Sequence, residues 1–320
     1  MKKIVMLVAA AMVMVMGAVH AGQELRMSQV SAADGAIGQS MDLFAKLVKD
    51  RTEGRIVINT FHNGQLGAER DNVEGIQLGN LDIAVVNQSV LGNFVQDISA
   101  VDLPYVIQNY EHADKIFLGE IGKDFLAKLD NVGIKGLAIW ESGFRNLTNS
   151  KRDVNAVEDV AGLRIRVMEN QIHQDLWRAL GADAVPMAWG DAYTAMQQGA
   201  IDGQENPTTV IDKNNVVEVN KKMAITQHCY ATVFIIMSPS RWASLPAEDQ
   251  KIIMECVDEA GKFERDLSRK MDTEAIETLK SKGMAVTTPD KAGFVEKSKS
   301  VREKYGKKFA DTLAKMEALK

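Results

Sequence analysis

Strand-like and helix-like patterns of apolar residues alternate over the first part of the chain. Apolar residues at every second position, or in a short continuous run, predict strands, and apolar residues repeated every three or four positions predict helices. The predicted elements are a strand at Glu24–Ser28, a helix at Ile37–Thr52, a strand at Ile56–Phe61, a helix at Ala68–Leu78 and a strand at Leu81–Val86. This order is typical of a sheet covered by helices.

A second succession of the same kind begins with a strand near Phe144. It continues with a strand at Arg164–Val167, a helix at Ile172–Leu180, a strand at Ala184–Pro186 and a helix at Asp191–Gln198. Helices at His112–Leu118 and Gly122–Val132 and a strand at Ile134–Trp140 join the two successions. The continuous apolar run at Cys229–Met237 predicts a strand buried on both faces, which could belong to the first sheet.

The segment Pro246–Lys282 has regular apolar spacing, no internal proline and a single glycine. It predicts one helix about 55 Å long. Such a helix exceeds one domain, so we expect it to lie across two lobes and to limit their motion. A strand at Met284–Thr287 and a helix at Ala292–Leu319 complete the chain.

The length of 320 residues also favours two lobes, because single hydrophobic cores stop growing near about 250 to 300 residues. The predicted fold class is α/β, with two lobes and a long helix spanning both. We expect the first lobe to contain residues 22–143 and about 231–270, and the second to contain residues 144–230 and about 271–320.

Residues 1–21 have the pattern of a secretory signal peptide. Lys2 and Lys3 precede an apolar run at Ile4–Val19, and small residues surround a cleavage point after Ala21. The residue directly after that point is Gly22 and not a cysteine that could be lipidated, so we expect an exported protein without a lipid anchor. In a bacterium with two membranes, its location is the periplasm.

The composition excludes some partners and leaves one question open. The net charge is −5, and basic residues form no aromatic-rich stripe, so nucleic acid is not an expected partner.

Cys229 and Cys256 are the only cysteines. They could pair in an oxidising compartment, or each could be a small core residue. Two distant cysteines provide too few ligands for a metal site.

The most informative stretch for function runs from Phe144 to Pro207. Alternation at its predicted strand places Leu163, Ile165 and Val167 on one face and Arg164 and Arg166 on the other. A guanidinium held on a strand matches both oxygens of a carboxylate. The alternative for Arg145 and Arg166 is an arginine ion-paired within the protein.

Four motifs in their order along the chain resemble the substrate-binding proteins of tripartite ATP-independent periplasmic (TRAP) transporters, in particular the DctP-like branch. The motifs are Gln65-Leu66-Gly67, Phe144-Arg145, Gly162-Leu163-Arg164-Ile165-Arg166-Val167 and Gly199-Ala200-Ile201-Asp202-Gly203-Gln204-Glu205-Asn206-Pro207. The resemblance covers essentially the whole chain after the leader. It implies a monomeric, two-lobed periplasmic-binding-protein-like fold that closes on an organic acid and delivers it to the membrane subunits of a TRAP transporter.

The resemblance also implies roles for individual residues. Arg166 is the principal carboxylate ligand, Arg145 a second cation near that carboxylate, Asn206 a hydrogen-bonding partner and Trp189 an aromatic wall. Glu69 and Asn87 contact the far end of the ligand from the first lobe. The alternatives are a solvated residue at a helix start for Glu69 and a turn former for Asn87.

Two further residues are candidates because of their position in the predicted fold. Glu141 lies at the junction of the lobes, and Asn170 follows the strand of Arg166. Each could line the cleft. A helix cap is the commoner reading of Asn170.

The ligand class follows from the residues at the far end of the site. Relatives that bind sialic acid tend to place another arginine just after the position of Asn87, where this chain has Val90, which disfavours sialic acid. A glutamate and an asparagine suit hydroxyls better than a second carboxylate. We therefore expect a sugar acid, such as a uronate or an aldonate, in preference to a C4-dicarboxylate.

A catalytic function is the alternative. A periplasmic lyase or isomerase acting on a sugar acid could use Glu141 or Glu69 as its base. However, the sequence contains no hydrolase, metalloprotease, nucleotide-binding or dinucleotide-binding motif. We therefore expect a binding protein that has no catalytic residues, no cofactor and no metal.

Overall fold

The computed structural model describes residues 22–320, so the signal peptide predicted at residues 1–21 lies outside the described residues. The strands are β1 (Gln23–Ser28), β2 (Ile56–Phe61), β3 (Ile83–Asn87), β4 (Lys135–Asn149), β5 (Arg164–Val167), β6 (Asp183–Pro186), β7 (Gly203–Pro207), β8 (Lys222–Ala224), β9 (Tyr230–Met237) and β10 (Ala285–Thr287).

Helices cover this sheet and connect its strands. They are α1 (Ala36–Arg51), α2 (Glu69–Leu78), α3 (Gln88–Leu91), α4 (Tyr110–Phe117), α5 (Glu120–Leu129), α6 (Gln171–Ala179), α7 (Trp189–Gln197), α8 (Thr208–Lys213), α9 (Pro239–Ser244), α10 (Ala247–Ser281), α11 (Lys291–Gly306) and α12 (Ala310–Glu317). Short 3₁₀ segments add to these, including one at Gln96–Asp102. Among residues 22–320, no helix is both long and apolar enough to cross a bilayer.

The strands form one continuous sheet in the order β2-β1-β3-β9-β4-β7-β5-β6; in addition, β8 pairs with β4 and β10 pairs with β8. β1 is parallel to β2 and β3, and β5 is parallel to β6 and β7. β9 runs antiparallel between β3 and β4. The apolar run predicted at Cys229–Met237 therefore belongs to the first part of the sheet.

β4 joins the two parts of the sheet. Its residues 135–144 pair with β9, and its residues 145–149 pair with β7. We call β1, β2, β3, β9 and residues 135–144 the first half-sheet, and the remaining strands with residues 145–149 the second half-sheet. The pairing register shifts between Glu141 and Gly143, where Gly143 has a φ of 108°. This bulge requires glycine and bends the strand.

The long helix predicted near the end of the chain is α10, which has 35 residues and is about 50 Å long. It contacts α1 and β4 and continues to α8 and β10. A Cβ atom at Gly261 would lie 2.7 Å from Nε1 of Trp140 in β4. The glycine therefore lets the helix approach the strand that joins the two half-sheets.

The C-terminal segment differs from its prediction. A single helix was expected at Ala292–Leu319, but residues 307–309 separate α11 from α12. α11 packs against α6, whereas α12 packs against α5. Phe309 and Met316 belong to the apolar core of the first half-sheet. The lobe boundaries remain a prediction. α12 was expected in the second lobe, but it packs against α5, which was expected in the first.

Candidate functional site

A cavity lies between the half-sheets, beside the point where β4 passes from one to the other. It contains about 420 Å³ of space that protein atoms do not occupy. Its walls come from both half-sheets, which is the position expected for a ligand that holds two lobes together. Six of the eight predicted contacts line it: Glu69, Asn87, Arg145, Arg166, Trp189 and Asn206.

Arg166 is a buried cation on the wall of this cavity. Its neighbours in β5, Ile165 and Val167, point into the core, which turns Arg166 to the other face of the strand. Its Nε donates a hydrogen bond of 2.8 Å to the carbonyl of Met187, which holds the guanidinium in place. No carboxylate among residues 22–320 lies within 4.0 Å of it. Burial lowers the pKa of Arg166 to about 10, so it stays charged at neutral pH.

Two side chains surround this guanidinium. Trp189 is the first residue of α7, and the centre of its ring lies 5.5 Å from Cζ of Arg166. At this distance the ring face attracts the cation and shields it from water. Asn206 lies in β7, and its Nδ2 donates to Oε1 of Gln204 at 2.6 Å. Its Oδ1 has no hydrogen-bond partner among residues 22–320.

Arg145 also lines the cavity, but its charge is already paired. Its Nη2 donates to the Glu205 carboxylate at 2.9 Å, and its Nε donates to the other oxygen of the same group. Both side chains are almost fully buried. Arg145 is therefore an arginine ion-paired within the protein, as its alternative supposed. Arg166 has no such carboxylate partner among residues 22–320.

Behind Arg145 lies a buried polar cluster that the sequence did not reveal. Glu205 accepts a hydrogen bond from Nε2 of His228 at 2.9 Å, and Nδ1 of His173 lies 3.6 Å from it. Nε2 of His173 lies 3.5 Å from Asp102. Although burial alone acts in the opposite sense, Arg145 and the histidines hold the pKa of Glu205 well below its usual range. Asp102 and Glu205 likewise outweigh burial and raise the pKa of His173 to about 9.

Glu69 and Asn87 form the opposite wall. Glu69 is the first residue of α2, and its Oε1 accepts a hydrogen bond of 2.7 Å from the backbone amide of Asn87. Burial raises the pKa of Glu69, while this hydrogen bond, Arg166 and Arg145 act in the opposite sense. The Asn87 side chain caps α3 through its Oδ1. Glu69 thus begins a helix but is partly buried and not solvated as its alternative supposed, whereas Asn87 caps a short helix; both residues line the cavity.

Glu141 and Asn170 are not brought to the cavity. The Glu141 carboxylate accepts hydrogen bonds from Arg269 at 2.8 Å and from the Tyr230 hydroxyl at 2.6 Å. Asn170 caps α6, and its Nδ2 donates to Asp102 at 2.9 Å. The side-chain polar groups of both residues are therefore used within the protein.

Several lining residues were not singled out from the sequence. Val30 and Ser31 follow β1, and the loop after a parallel strand is where ligands bind in sheets of this kind, which was the available signal. Ser142 occupies the bulge of β4. No pattern in the sequence predicted this bulge. The remaining lining residues are apolar, namely Ile37, Met168, Val210 and Val233.

The described part of the chain offers no site for a metal. Among residues 22–320, no group of three or more His, Cys, Asp and Glu side chains is arranged to hold an ion. Cys229 and Cys256 are both free and buried. Cys229 lies near the backbone of Asp102, whereas Cys256 belongs to the core under α10. The structure therefore has two core cysteines and no disulfide between them.

A family model for bacterial extracellular solute-binding proteins, family 7 (DctP), matches residues 27–308. The chain belongs to this family. A family relative, a solute-binding protein of Verminephrobacter eiseniae, is 36% identical over 286 residues, which cover 89% of this chain and 85% of that protein.

Two crystal structures of TRAP periplasmic solute-binding proteins share the fold of this family 7 protein. The one from Polaromonas sp. JS666, bound to D-erythronate, has a TM-score of 0.91 and 34% identity and covers 93% of this chain and 99% of that chain. The one from Sulfurospirillum deleyianum, with bound succinate, has a TM-score of 0.90 and 26% identity and covers 94% and 100%.

These comparisons confirm the resemblance to TRAP solute-binding proteins and the α/β fold with α10 reaching both half-sheets. Members of family 7 are extracellular solute-binding proteins of transport systems and not enzymes, and the two solved relatives hold organic acids. The lyase or isomerase alternative, with Glu69 or Glu141 as base, is thereby set aside.

Proposed function

We propose that this family 7 protein captures a hydroxylated monocarboxylate, such as an aldonate or a uronate, in the periplasm and delivers it to the membrane subunits of a TRAP transporter. The observation that carries the proposal is the state of Arg166. It is a rigidly held, buried cation with no carboxylate within 4.0 Å among residues 22–320. Because an isolated buried charge is unfavourable, the site is suited to a ligand carboxylate as its counter-ion.

The charge balance favours a ligand with one carboxylate. Arg145 is neutralised by Glu205, so Arg166 contributes the positive charge that remains at the cavity wall. Glu69 adds a second acidic group opposite it. A second ligand carboxylate near Glu69 would either meet a like charge or require Glu69 to bind a proton.

Hydroxyl groups suit the polar atoms on the remaining walls. The Glu69 carboxylate accepts hydrogen bonds, Nδ2 of the Asn87 side chain donates them, and Oδ1 of Asn206 accepts them. The relative bound to D-erythronate, a hydroxylated monocarboxylate, supports this choice. The relative bound to succinate is less identical to this chain.

Capture depends on both half-sheets. Arg166, Trp189 and Asn206 contact the ligand from the second half-sheet, and Glu69 and Asn87 contact it from the first. The closed arrangement is then favoured only when a ligand interacts with both sides. The transporter would recognise this closed state, and α10 would limit the motion that leads to it.

A thermal-shift screen across sugar acids, hydroxy acids, keto acids and dicarboxylates tests the proposal. A ligand at about 100 times its Kd stabilises the protein by about 3 kcal/mol, which raises the Tm by several degrees for a chain of this size. We expect aldonates or uronates to give this shift with wild type. A response confined to dicarboxylates would overturn the proposed ligand class.

Variants of two arginines in β5 show whether the response comes from the cavity. Arg166→Lys keeps the charge but loses the planar fork, so we expect it to lose most of the shift. Arg164→Ala is the matched control, because Arg164 pairs with Asp202 outside the cavity. An Arg166→Lys protein that responds like wild type would show a merely electrostatic role.

A further inference from the structure

A second chamber adjoins the cavity of Arg166. It has about 340 Å³ of unoccupied space, part of which is open to solvent, and its polar lining residues are Ser31, Ser142, Thr209, Lys213, Asn214 and Ser268. The two spaces share the wall residues Ser31, Ile37, Ser142 and Val210. The second chamber is therefore adjacent to a ligand held at Arg166.

Three buried hydroxyl groups converge on this chamber from separate elements. Ser142 lies in β4, Thr209 in α8 and Ser268 in α10, and they are 7%, 8% and 3% exposed. All three residues line the chamber, and none of their hydroxyls bonds to another group among residues 22–320. Their oxygen atoms are not among the fully enclosed unpaired atoms, so they are accessible from the chamber. Buried polar groups generally bond to protein or to water. Three accessible hydroxyls without a protein partner in one space can therefore bond to a molecule inside it.

The charges around the chamber favour a neutral polar group over a second anion. Lys213 is the cation on its wall, and it already pairs with Asp34 at 3.2 Å. The start of α1 adds backbone amides that no side chain caps, and these suit oxygen acceptors. Hydroxyl groups both donate and accept, so a chain of ligand hydroxyls satisfies the serines, the threonine and the amides together.

We infer that the second chamber binds the distal hydroxyls of a six-carbon sugar acid whose carboxylate is held by Arg166, so that the chamber selects ligands by chain length. This inference rests on the proposed function and deepens it. A four-carbon acid would be held at Arg166 and would leave the hydroxyls of Ser142, Thr209 and Ser268 to water.

Calorimetric titration of the protein with D-erythronate, which has four carbons, and with the six-carbon acids D-gluconate, D-galactonate and D-glucuronate tests the inference. We expect at least one six-carbon acid to bind about tenfold or more tightly than erythronate. Thr209→Val and Ser268→Ala each remove one hydroxyl with little change of shape. Each should weaken that six-carbon acid about three- to tenfold, the usual effect of one hydrogen bond, and should change erythronate affinity less than twofold.

Two controls separate the chamber from the rest of the site. Thr273→Val removes an exposed hydroxyl from the same helix as Ser268 and should leave all affinities unchanged. Arg166→Ala should abolish binding of short and long acids alike. Melting temperatures of the variants show whether each one folds, and Thr209 and Ser268 lie on different helices, so the test does not depend on one variant.

The outcomes are distinct. If erythronate binds as tightly as every six-carbon acid, or if the hydroxyl variants weaken long and short acids equally, the chamber inference is wrong while the proposed function stands. If no sugar acid binds at all, the proposed function fails and the inference fails with it. A six-carbon preference that the hydroxyl variants abolish supports both.

Discussion

Replacing Glu69 by glutamine should change which acids the protein binds. The substitution keeps the shape of the side chain and an oxygen that can accept the 2.7 Å hydrogen bond from the Asn87 amide, but it removes the negative charge from the cavity wall. In the wild type, that charge discriminates against a ligand with a second carboxylate. Glu69→Gln should therefore raise the affinity for succinate relative to D-erythronate.

The size of the effect follows from the electrostatics of the site. Two like charges about 4 Å apart repel by about 4 kcal/mol at an effective dielectric constant of about 20. Part of this is relieved because burial raises the pKa of Glu69, so that a dicarboxylate can bind with a proton taken up by Glu69. We therefore expect the ratio of the two affinities to shift by about tenfold, or about 1.4 kcal/mol.

Isothermal titration calorimetry of both acids at two pH values measures this shift. Wild-type affinity for succinate should rise as the pH falls through the raised pKa of Glu69, and the Glu69→Gln protein should lack this dependence. Glu74→Gln is the matched control, because Glu74 is exposed on the same helix as Glu69 and does not line the cavity. An unchanged ratio of affinities in Glu69→Gln would refute the assigned role of this carboxylate.

Three further predictions concern the buried groups around the cavity. Because the pKa of His173 is raised to about 9, its stabilisation is complete below its unfolded pKa of about 6.5 and is lost as the pH rises through 9; melting curves from pH 6 to 10 should show this, and His173→Gln should reduce it. Arg145→Ala leaves Glu205 buried without its partner and should cost about 3 to 5 kcal/mol in the free energy of unfolding, whereas a cost below 1 kcal/mol in denaturant melts would contradict the pairing. Trp189→Leu removes the ring beside Arg166 and should weaken carboxylate binding about three- to tenfold by calorimetry; unchanged affinity would count against this contact.

Local patterns were sufficient to predict most of the fold. β2 has the predicted bounds, and α1 and α10 differ from their predicted ends by one residue, because apolar periodicity and turn residues report directly on local structure. The continuity of β4 through its bulge was not predictable in this way. It depends on pairing with β9 and β7, which are distant in sequence.

The candidate site likewise has features that local sequence patterns predict and features that depend on residues distant in sequence. The place of Arg166 on the cavity wall was predictable because the alternation of β5 fixes its face. Its role as the carboxylate ligand, which the family resemblance implies, stays a prediction. The network of Glu205, His173, His228 and Asp102 was not predictable, since these residues come from different parts of the chain and meet only in the folded protein. The hydroxyls of the second chamber also meet only through folding.

The central claim is that Arg166 holds the carboxylate of the ligand, and a double-mutant cycle in calorimetry tests it most directly. The cycle compares wild type and Arg166→Ala with a sugar acid selected by the screen and with its carboxamide, in which the charge is removed from the ligand instead. Each single change should weaken binding by about 2 to 5 kcal/mol, and making both changes should cost little more than making one. Independent, additive losses, or an Arg166→Ala protein that binds the acid as tightly as wild type, would contradict the account.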